Sequence, residues 1–288
     1  MEFITFHVAL SADQAVHPNQ TVAHAEYLGM VDMMFSSARL FHPHARRVVL
    51  SDLETSFDPV RDGIDSIDRS EMDPQKLMFE RAQAQLRHVR ASGFDRPMVI
   101  IDSDILVNGS LQPVFERDFD VALTWRGDNR DQPINGGLLI LNNRRPAVSR
   151  RFFENYVRIY SERYADEKGD WFGDQLALRD ALGLEVEQLA ASEIVEVDGC
   201  RVLLLPCDTY NFSPSNQFTE IERDLGDKLI LHFKGERKRL MRPYWRARLQ
   251  PAHSWLPWVK FRGWREREWL RRQCSLEGRP ARAAGSGA

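Results

Sequence analysis

The stretch "PMVIIDSDILVNG", residues 97–109, decides how this chain is read. Four apolar residues, Met98 to Ile101, make a run short enough for a buried strand. The run ends in two aspartates, Asp102 and Asp104, and the turn Asn108-Gly109-Ser110 follows within a few residues. In an extended strand, residues i and i+2 leave the same face about 6.6 Å apart. Two carboxylate oxygens on one edge of an octahedral ion must approach within about 3 Å, given bonds near 2.1 Å. The chain must therefore bend at the pair, or one carboxylate holds a cation while the other holds a hydroxyl or a water. Left alone, two anionic groups at a strand end repel each other. A lone Asp-x-Asp also occurs as a simple loop cap, so the rest of the sequence has to decide its meaning.

Working outward, strands are expected over 3–10, 47–50, 97–105, 120–125, 137–141, 194–197, 201–205 and 228–232. Helices are expected between them. Asp73-Pro74 pairs an N-cap with proline at the first helical position, and Met78, Ala82, Leu86 and Val89 repeat at helical spacing up to Gly93. A second helix opens near Pro146, with Val148, Phe152, Tyr156 and Ile159 on one face. A third covers 174–182 and stops at Gly183. "VEVDGCRVLLL" reads as a hairpin turning on Asp198-Gly199. Helices alternate with strands to about residue 182, which predicts an α/β fold with a mostly parallel sheet covered on both faces. The later, closer strands predict an antiparallel addition. Ligands of such sheets sit at the carboxyl ends of the strands, where Asp102 and Asp104 lie.

A chain of 288 residues can bury one sizeable α/β core with an appendage. No run of about 18 apolar residues is present, so no membrane span is expected. "MEFITFHVAL" lacks a basic start and reads as a first strand, not a leader. Cys200, Cys207 and Cys274 are odd in number and fit no metal spacing, which suggests free thiols in a reducing cytoplasm.

The net charge of −3 is unevenly spread. Residues 234–272 hold 13 Lys and Arg against 3 Asp and Glu, a local balance of +10, so the remainder carries −13. Five of the seven tryptophans, Trp245, Trp255, Trp258, Trp264 and Trp269, lie in the same stretch. We therefore divide the chain into an α/β domain, 1–240, and a basic, Trp-rich extension with a disordered tail, 241–288. The extension can place tryptophans and arginines on an anionic membrane surface through residues 241–272. It can equally fold back on the acidic body. No RNA or DNA motif supports a nucleic-acid partner.

Five segments now resemble one family. The apolar run with Asp102-x-Asp104 is followed by "INGGLLILN" (134–142), "WFGDQLAL" (171–178), "LPCDTYN" (205–211) and "LHFKGERK" (231–238). Their order and spacing over 3–240 resemble the GT-A-fold glycosyltransferases, those of family eight most of all. The closing pattern His-aromatic-x-Gly-x-x-Lys is met by His232, Phe233, Gly235 and Lys238; the Pro-Trp that often follows is replaced by Arg239-Leu240.

The resemblance implies a Rossmann-like catalytic domain using a nucleotide-diphospho-sugar donor, UDP-linked by family habit, and a glycan or lipid-linked acceptor. It implies Mn²⁺, with Mg²⁺ second, held by Asp102, Asp104 and His232. His232 alone could be no more than a satisfied histidine at a strand end. Lys234 and Lys238 are placed to neutralise phosphate, and Gly235 to let the backbone approach it. Either lysine could also be solvated surface. Asn135, Gly136 and Gly137 would border the donor sugar, or simply turn the chain. Asp174 and Gln175 would be the catalytic pair at the sugar hydroxyls. Arg81 would face the nucleotide or solvent. Ala9, Leu10 and Asp52 would contact base and ribose, and Asn211 matches a family asparagine without an assigned role. Family-eight enzymes retain anomeric configuration without an agreed protein nucleophile, so no base is named.

Competing classes fit less well. A haloacid-dehalogenase-like phosphohydrolase wants its Asp-x-Asp near the N-terminus and Thr or Val where Leu106 stands. A sugar nucleotidyltransferase wants a Gly-rich signature near the first strand, and "LSADQAVHPNQT" has none. A nucleotide-sugar-binding protein without turnover stays open.

Overall fold

A computed structural model of the chain describes residues 1–11, 14, 23–127, 129, 132–164, 172–183, 193–250 and 263–267. In chain order its main elements are β1 (Glu2–Phe6), α1 (His24–Phe41), β2 (Arg46–Ser51), β3 (Ser66–Arg69), α2 (Leu77–Ala91), β4 (Met98–Ile101) and β5 (Ile105–Val107). Then come α3 (Gln112–Phe115), β6 (Val121–Trp125), β7 (Ile134–Leu141), α4 (Pro146–Arg163), α5 (Gly173–Leu182), β8 (Ile194–Val197), β9 (Cys200–Pro206) and β10 (Ile230–His232).

Eight strands form one mixed sheet in the order β3-β2-β1-β4-β7-β6-β9-β8. The β1–β2, β2–β3, β1–β4 and β6–β9 pairs are parallel. The β4–β7, β6–β7 and β8–β9 pairs are antiparallel. Side chains alternate between two cores as period-2 strands require: Phe3, Val49 and Val99 enter one, and Ile4, Val48, Leu50, Met98 and Ile100 the other. Helix α1 covers the first face; α2, α4 and α5 cover the second. The expected hairpin turns on Asp198 (φ 49°) and Gly199 (φ 74°), both left-handed as a two-residue primed turn demands.

Two expectations are corrected. The strand expected over 97–105 is two: β4 stays in the main sheet, the chain turns at Asp102–Asp104, and β5 pairs antiparallel with β10 in a separate ribbon. The bend required by the two carboxylates is thus a change of sheet. The strand expected over 3–10 ends at Phe6. Helix α1 gives no clear apolar stripe because it is enclosed on several sides, between the large sheet, β5 and the C-terminal helix. Leu28, Met30, Val31, Met33, Met34 and Phe35 are all buried.

The core also runs past residue 240. Helix Lys238–Tyr244 and the wide turn Trp245–Leu249 bring Leu240, Met241, Tyr244 and Ala247 into the α1 side of the core. Arg246 lies over the Trp264 ring at 5.8 Å, and Arg265 Nη1 is 3.1 Å from Glu222 Oε1. The remainder of the expected extension lies outside the described residues. No helix among the described residues is long and apolar enough to cross a membrane.

Candidate metal centre and ligand cavity

The sheet reverses its winding between β1 and β4, which are parallel neighbours whose next strands are reached in opposite directions. A crevice at such a point receives ligands because the loops beyond its two strands diverge. A cavity of about 600 Å³ opens there, between His7 and Val8 after β1 and Asp102 after β4. Strand β7, β10, the start of α5 and the segment 234–238 complete its wall.

Asp102, Asp104 and His232 converge on its floor, their ligand atoms within 4.8 Å of one another. His232 Nε2 is 3.1 Å from Asp104 Oδ1 and 3.6 Å from Asp102 Oδ2. The other oxygen of each carboxylate rests on a side-chain cation. Asp102 Oδ1 accepts from Arg81 Nη1 at 2.6 Å, and Asp104 Oδ2 lies 3.5 Å from Lys238 Nζ. The backbone keeps the three together: Asp102 N–H donates to Gly137 O, Phe233 N–H donates to Asp104 O, and His232 registers with Ile105 across the ribbon. Burial opposes the charge of Asp104, yet the His232 ring, Lys238 and Lys234 outweigh it and hold the carboxyl below the usual range. His232 Nδ1 meets Asn211 Oδ1 at 2.7 Å, so Nε2 is the nitrogen facing the carboxylates. Two carboxylates and one imidazole nitrogen, each steadied from behind, are donors suited to a divalent cation.

Arg81 reaches from α2 to a second acid, its Nη2 donating to Asp174 on the first turn of α5. Asp174 is buried and Arg81 is largely so. Burial works against the Arg81 guanidinium, but Asp102 and then Asp174 hold it above its ordinary range. Burial raises Asp174 despite Arg81. Asp174 Oδ1 is buried and makes no hydrogen bond within the described residues. Gln175 Oε1 accepts from Arg126 Nη2 at 3.0 Å.

Two expected roles acquire a different physical basis. A Cβ on Gly137 would lie 2.5 Å from His232 Cε1, and one on Gly136 would lie 2.5 Å from Asp174 Oδ2. These glycines line the cavity, but the space they leave is used by the histidine ring and the carboxylate. Asn135 also lines it, with its Oδ1 turned inward to the Gly137 N–H at 3.0 Å.

Lys234, Gly235 and Lys238 form one wall. Gly235 has φ +56°, a conformation that glycine adopts without Cβ strain. Lys234 is lowered by burial first and by Arg126 second. Lys238 is raised, because Asp104 and Tyr27 together outweigh its burial. Ala9 and Leu10 line the cavity, and Ala9 N–H donates to Thr55 Oγ1 at 2.9 Å. Asp52 instead lines an adjoining cavity of about 550 Å³ and accepts from Thr55 N–H.

Sequence reasoning did not name His7, His24, Tyr27 or Arg126, which also line the cavity. His7 and His24 stack at 5.3 Å, and His7 stacks on Tyr27 at 4.9 Å. His24 Nε2 donates to Ser56 O, so its Nδ1 accepts from His7 Nε2. Burial first, then His24, pushes His7 down to about 3. His24 and Tyr27 belong to the helix whose pattern is hidden. Arg126 ends β6, and its position at a strand end was the available signal.

No family model and no curated protein matches this chain. Solved structures do. The glycosyltransferase GlyE of Streptococcus pneumoniae is 16% identical with a TM-score of 0.53, over 93% of this chain and 63% of its own. The galactosyltransferase LgtC, solved with donor and acceptor sugar analogues, is 15% identical with a TM-score of 0.48, over 82% of this chain and 87% of its own. The likeness to GlyE establishes the architecture: the chain has a GT-A glycosyltransferase fold.

Proposed function

We propose that this protein is a metal-dependent glycosyltransferase. It moves a hexose from a nucleotide-diphospho-sugar, UDP-linked in our reading, to a hydroxyl of a glycan or lipid-linked acceptor. The observation that carries this reading is the Asp102–Asp104–His232 cluster at the switch point of a glycosyltransferase fold, with two lysines of one loop facing the same cavity. The family-eight resemblance adds retention of anomeric configuration.

The donor set fits a divalent ion by its chemistry: two carboxylate oxygens and one imidazole nitrogen, which suits Mn²⁺ first and Mg²⁺ second. Such an ion supplies charge stabilisation for a departing diphosphate. The chain's own groups do the rest. Lys234 and Lys238 neutralise phosphate where negative charge grows as the sugar leaves. Asp174 Oδ1, a buried acceptor without a hydrogen bond among the described residues, takes a hydroxyl of the donor sugar. Arg81 bridges Asp174 and Asp102 and sets one positive charge between the two acids. Arg126 holds Gln175 at the sugar's other flank. An acceptor hydroxyl, entering from the open side, forms its bond to the anomeric carbon as the bond from that carbon to the diphosphate breaks, and its proton passes to the departing β-phosphate.

A peripheral membrane contact through 241–272 depends in this reading on Trp255, Trp258 and Trp269, because Trp245 and Trp264 already pack within the protein. All three lie outside the described residues.

A thermal-shift panel of nucleotide sugars, with and without Mn²⁺, tests the whole reading. A ligand at about 100 times its Kd stabilises by about 2.7 kcal/mol, several degrees for a domain of this size. One donor should shift the melt only with the ion present. Shifts absent for every donor, or indifferent to the metal, would end the proposal.

A further inference from the structure

We infer that Asn211 is a positioning residue of the metal centre: it fixes the tautomer of His232, so that the Nε2 lone pair meets the ion. The inference rests on the metal site proposed above. It starts from a group whose proton is certain, the backbone N–H of Gly137, which donates to Asn135 Oδ1 at 3.0 Å. That contact fixes the Asn135 amide with its oxygen inward. Asn211 Nδ2 lies 2.7 Å from the same oxygen, so the Asn211 atom there must be the donating nitrogen.

The second hydrogen of that amide is assigned the same way. Thr124 Oγ1 donates its only proton to Asn135 O at 2.8 Å, and can therefore only accept from Asn211 Nδ2 at 2.9 Å. A flipped Asn211 would set its oxygen against two acceptors with no proton between them. Asn211 Oδ1 is left for His232 Nδ1, and between these two atoms only the ring nitrogen can donate. A hydrogen on Nδ1 follows, which leaves Nε2, directed at Asp104 and Asp102, as the nitrogen whose lone pair an ion would take. All four side chains are under 7% exposed, so water does not compete for these bonds. Packing acts in the same sense, since the ring lies against Gly137 where a Cβ would stand.

A purely structural role predicts loss of stability when Asn211 is changed. A positioning role predicts loss of the histidine ligand from a folded protein. Mn²⁺ affinity, by electron paramagnetic resonance of the free ion, should fall about 10–100-fold in Asn211→Leu, the usual cost of removing the partner of a ligating histidine. The spin-echo modulation from a directly bound imidazole nitrogen should fade with it. Asn211→Asp keeps an acceptor oxygen at Nδ1 and, with its second oxygen protonated towards Asn135 Oδ1, should preserve the nitrogen signal in the folded variant at a cost in stability. Asn211→Ala, which adds no bulk, carries the same test if the leucine variant does not fold. Affinity within about threefold of the parent with an unchanged nitrogen signal overturns the inference, as does equal loss in Asn211→Asp. His232→Ala is the reference: if it binds Mn²⁺ like the parent, the metal site itself is wrong and Asn211 is not at fault.

Discussion

Arg81 Nη1 lies 2.6 Å from Asp102 Oδ1, tying helix α2 to a carboxylate of the metal cluster, while its Nη2 donates to Asp174 on α5. One guanidinium thus neutralises two acids drawn from different elements. Arg81→Met would leave both without a counter-charge, and removing one partner of a buried ion pair costs about 3–5 kcal/mol. Urea unfolding near pH 8 should show a loss of that order. Arg81→Lys, with a single ammonium that cannot span both acids, should fall between. A variant as stable as the parent would mean the acids are compensated elsewhere.

Asp104→Ala removes a metal oxygen and the partner of Lys238. Mn²⁺-dependent donor binding should disappear, and turnover should drop at least about 100-fold, the scale of losing one charge-stabilising contact. The metal-free protein should still unfold cooperatively. Donor affinity equal to the parent's would remove Asp104 from the site.

Gly137→Ala tests the packing of the histidine. The added Cβ would stand 2.5 Å from His232 Cε1, so the ring must move. Overpacking of this kind costs about 1–3 kcal/mol, and the displaced ring should also weaken Mn²⁺ binding. Gly183→Ala places a methyl in open space at a left-handed position far from the ring, so it should cost stability with metal affinity unchanged. Equal Mn²⁺ binding by both variants would show that the space left by Gly137 in β7 does not position the histidine.

His88 gives the fold a pH dependence remote from the site. Its Nδ1 is 2.6 Å from Asp68 Oδ2 and its Nε2 is 3.1 Å from Glu2 Oε2. Burial opposes its charge, but the two carboxylates raise it to about 9 from an ordinary 6.5. A raised folded-state value stabilises fully below the unfolded value, and the gain is lost as pH climbs through 9. The difference corresponds to at most about 3 kcal/mol. The urea midpoint should decline between about pH 6.5 and 9 for the parent and stay nearly flat over that window in His88→Gln. Parallel declines would assign the effect to other groups.

Much of this architecture could be read locally. The strand expected over 194–197, the helix from Pro146 and the Asp-Gly hairpin all stand where periodicity and turn chemistry put them. Asp102 and Asp104 were nameable because they follow a short apolar run, and His232 because it opens the His-aromatic-x-Gly-x-x-Lys pattern of the resembled family. Helix α1 was not, since a helix enclosed on several sides loses the one-sided stripe by which periodicity is recognised. Thr124 was passed over as an ordinary strand residue.

The amino-acid order alone determined most of the strands and helices, and that two carboxylates stand one residue apart after a buried strand. Those properties depend on neighbours a few residues apart. Only the folded chain decided that Asn211 would meet Thr124, 87 positions away, and pass a proton assignment to His232. Such meetings are set by the order and register of strands across the sheet, and no local spacing encodes that register.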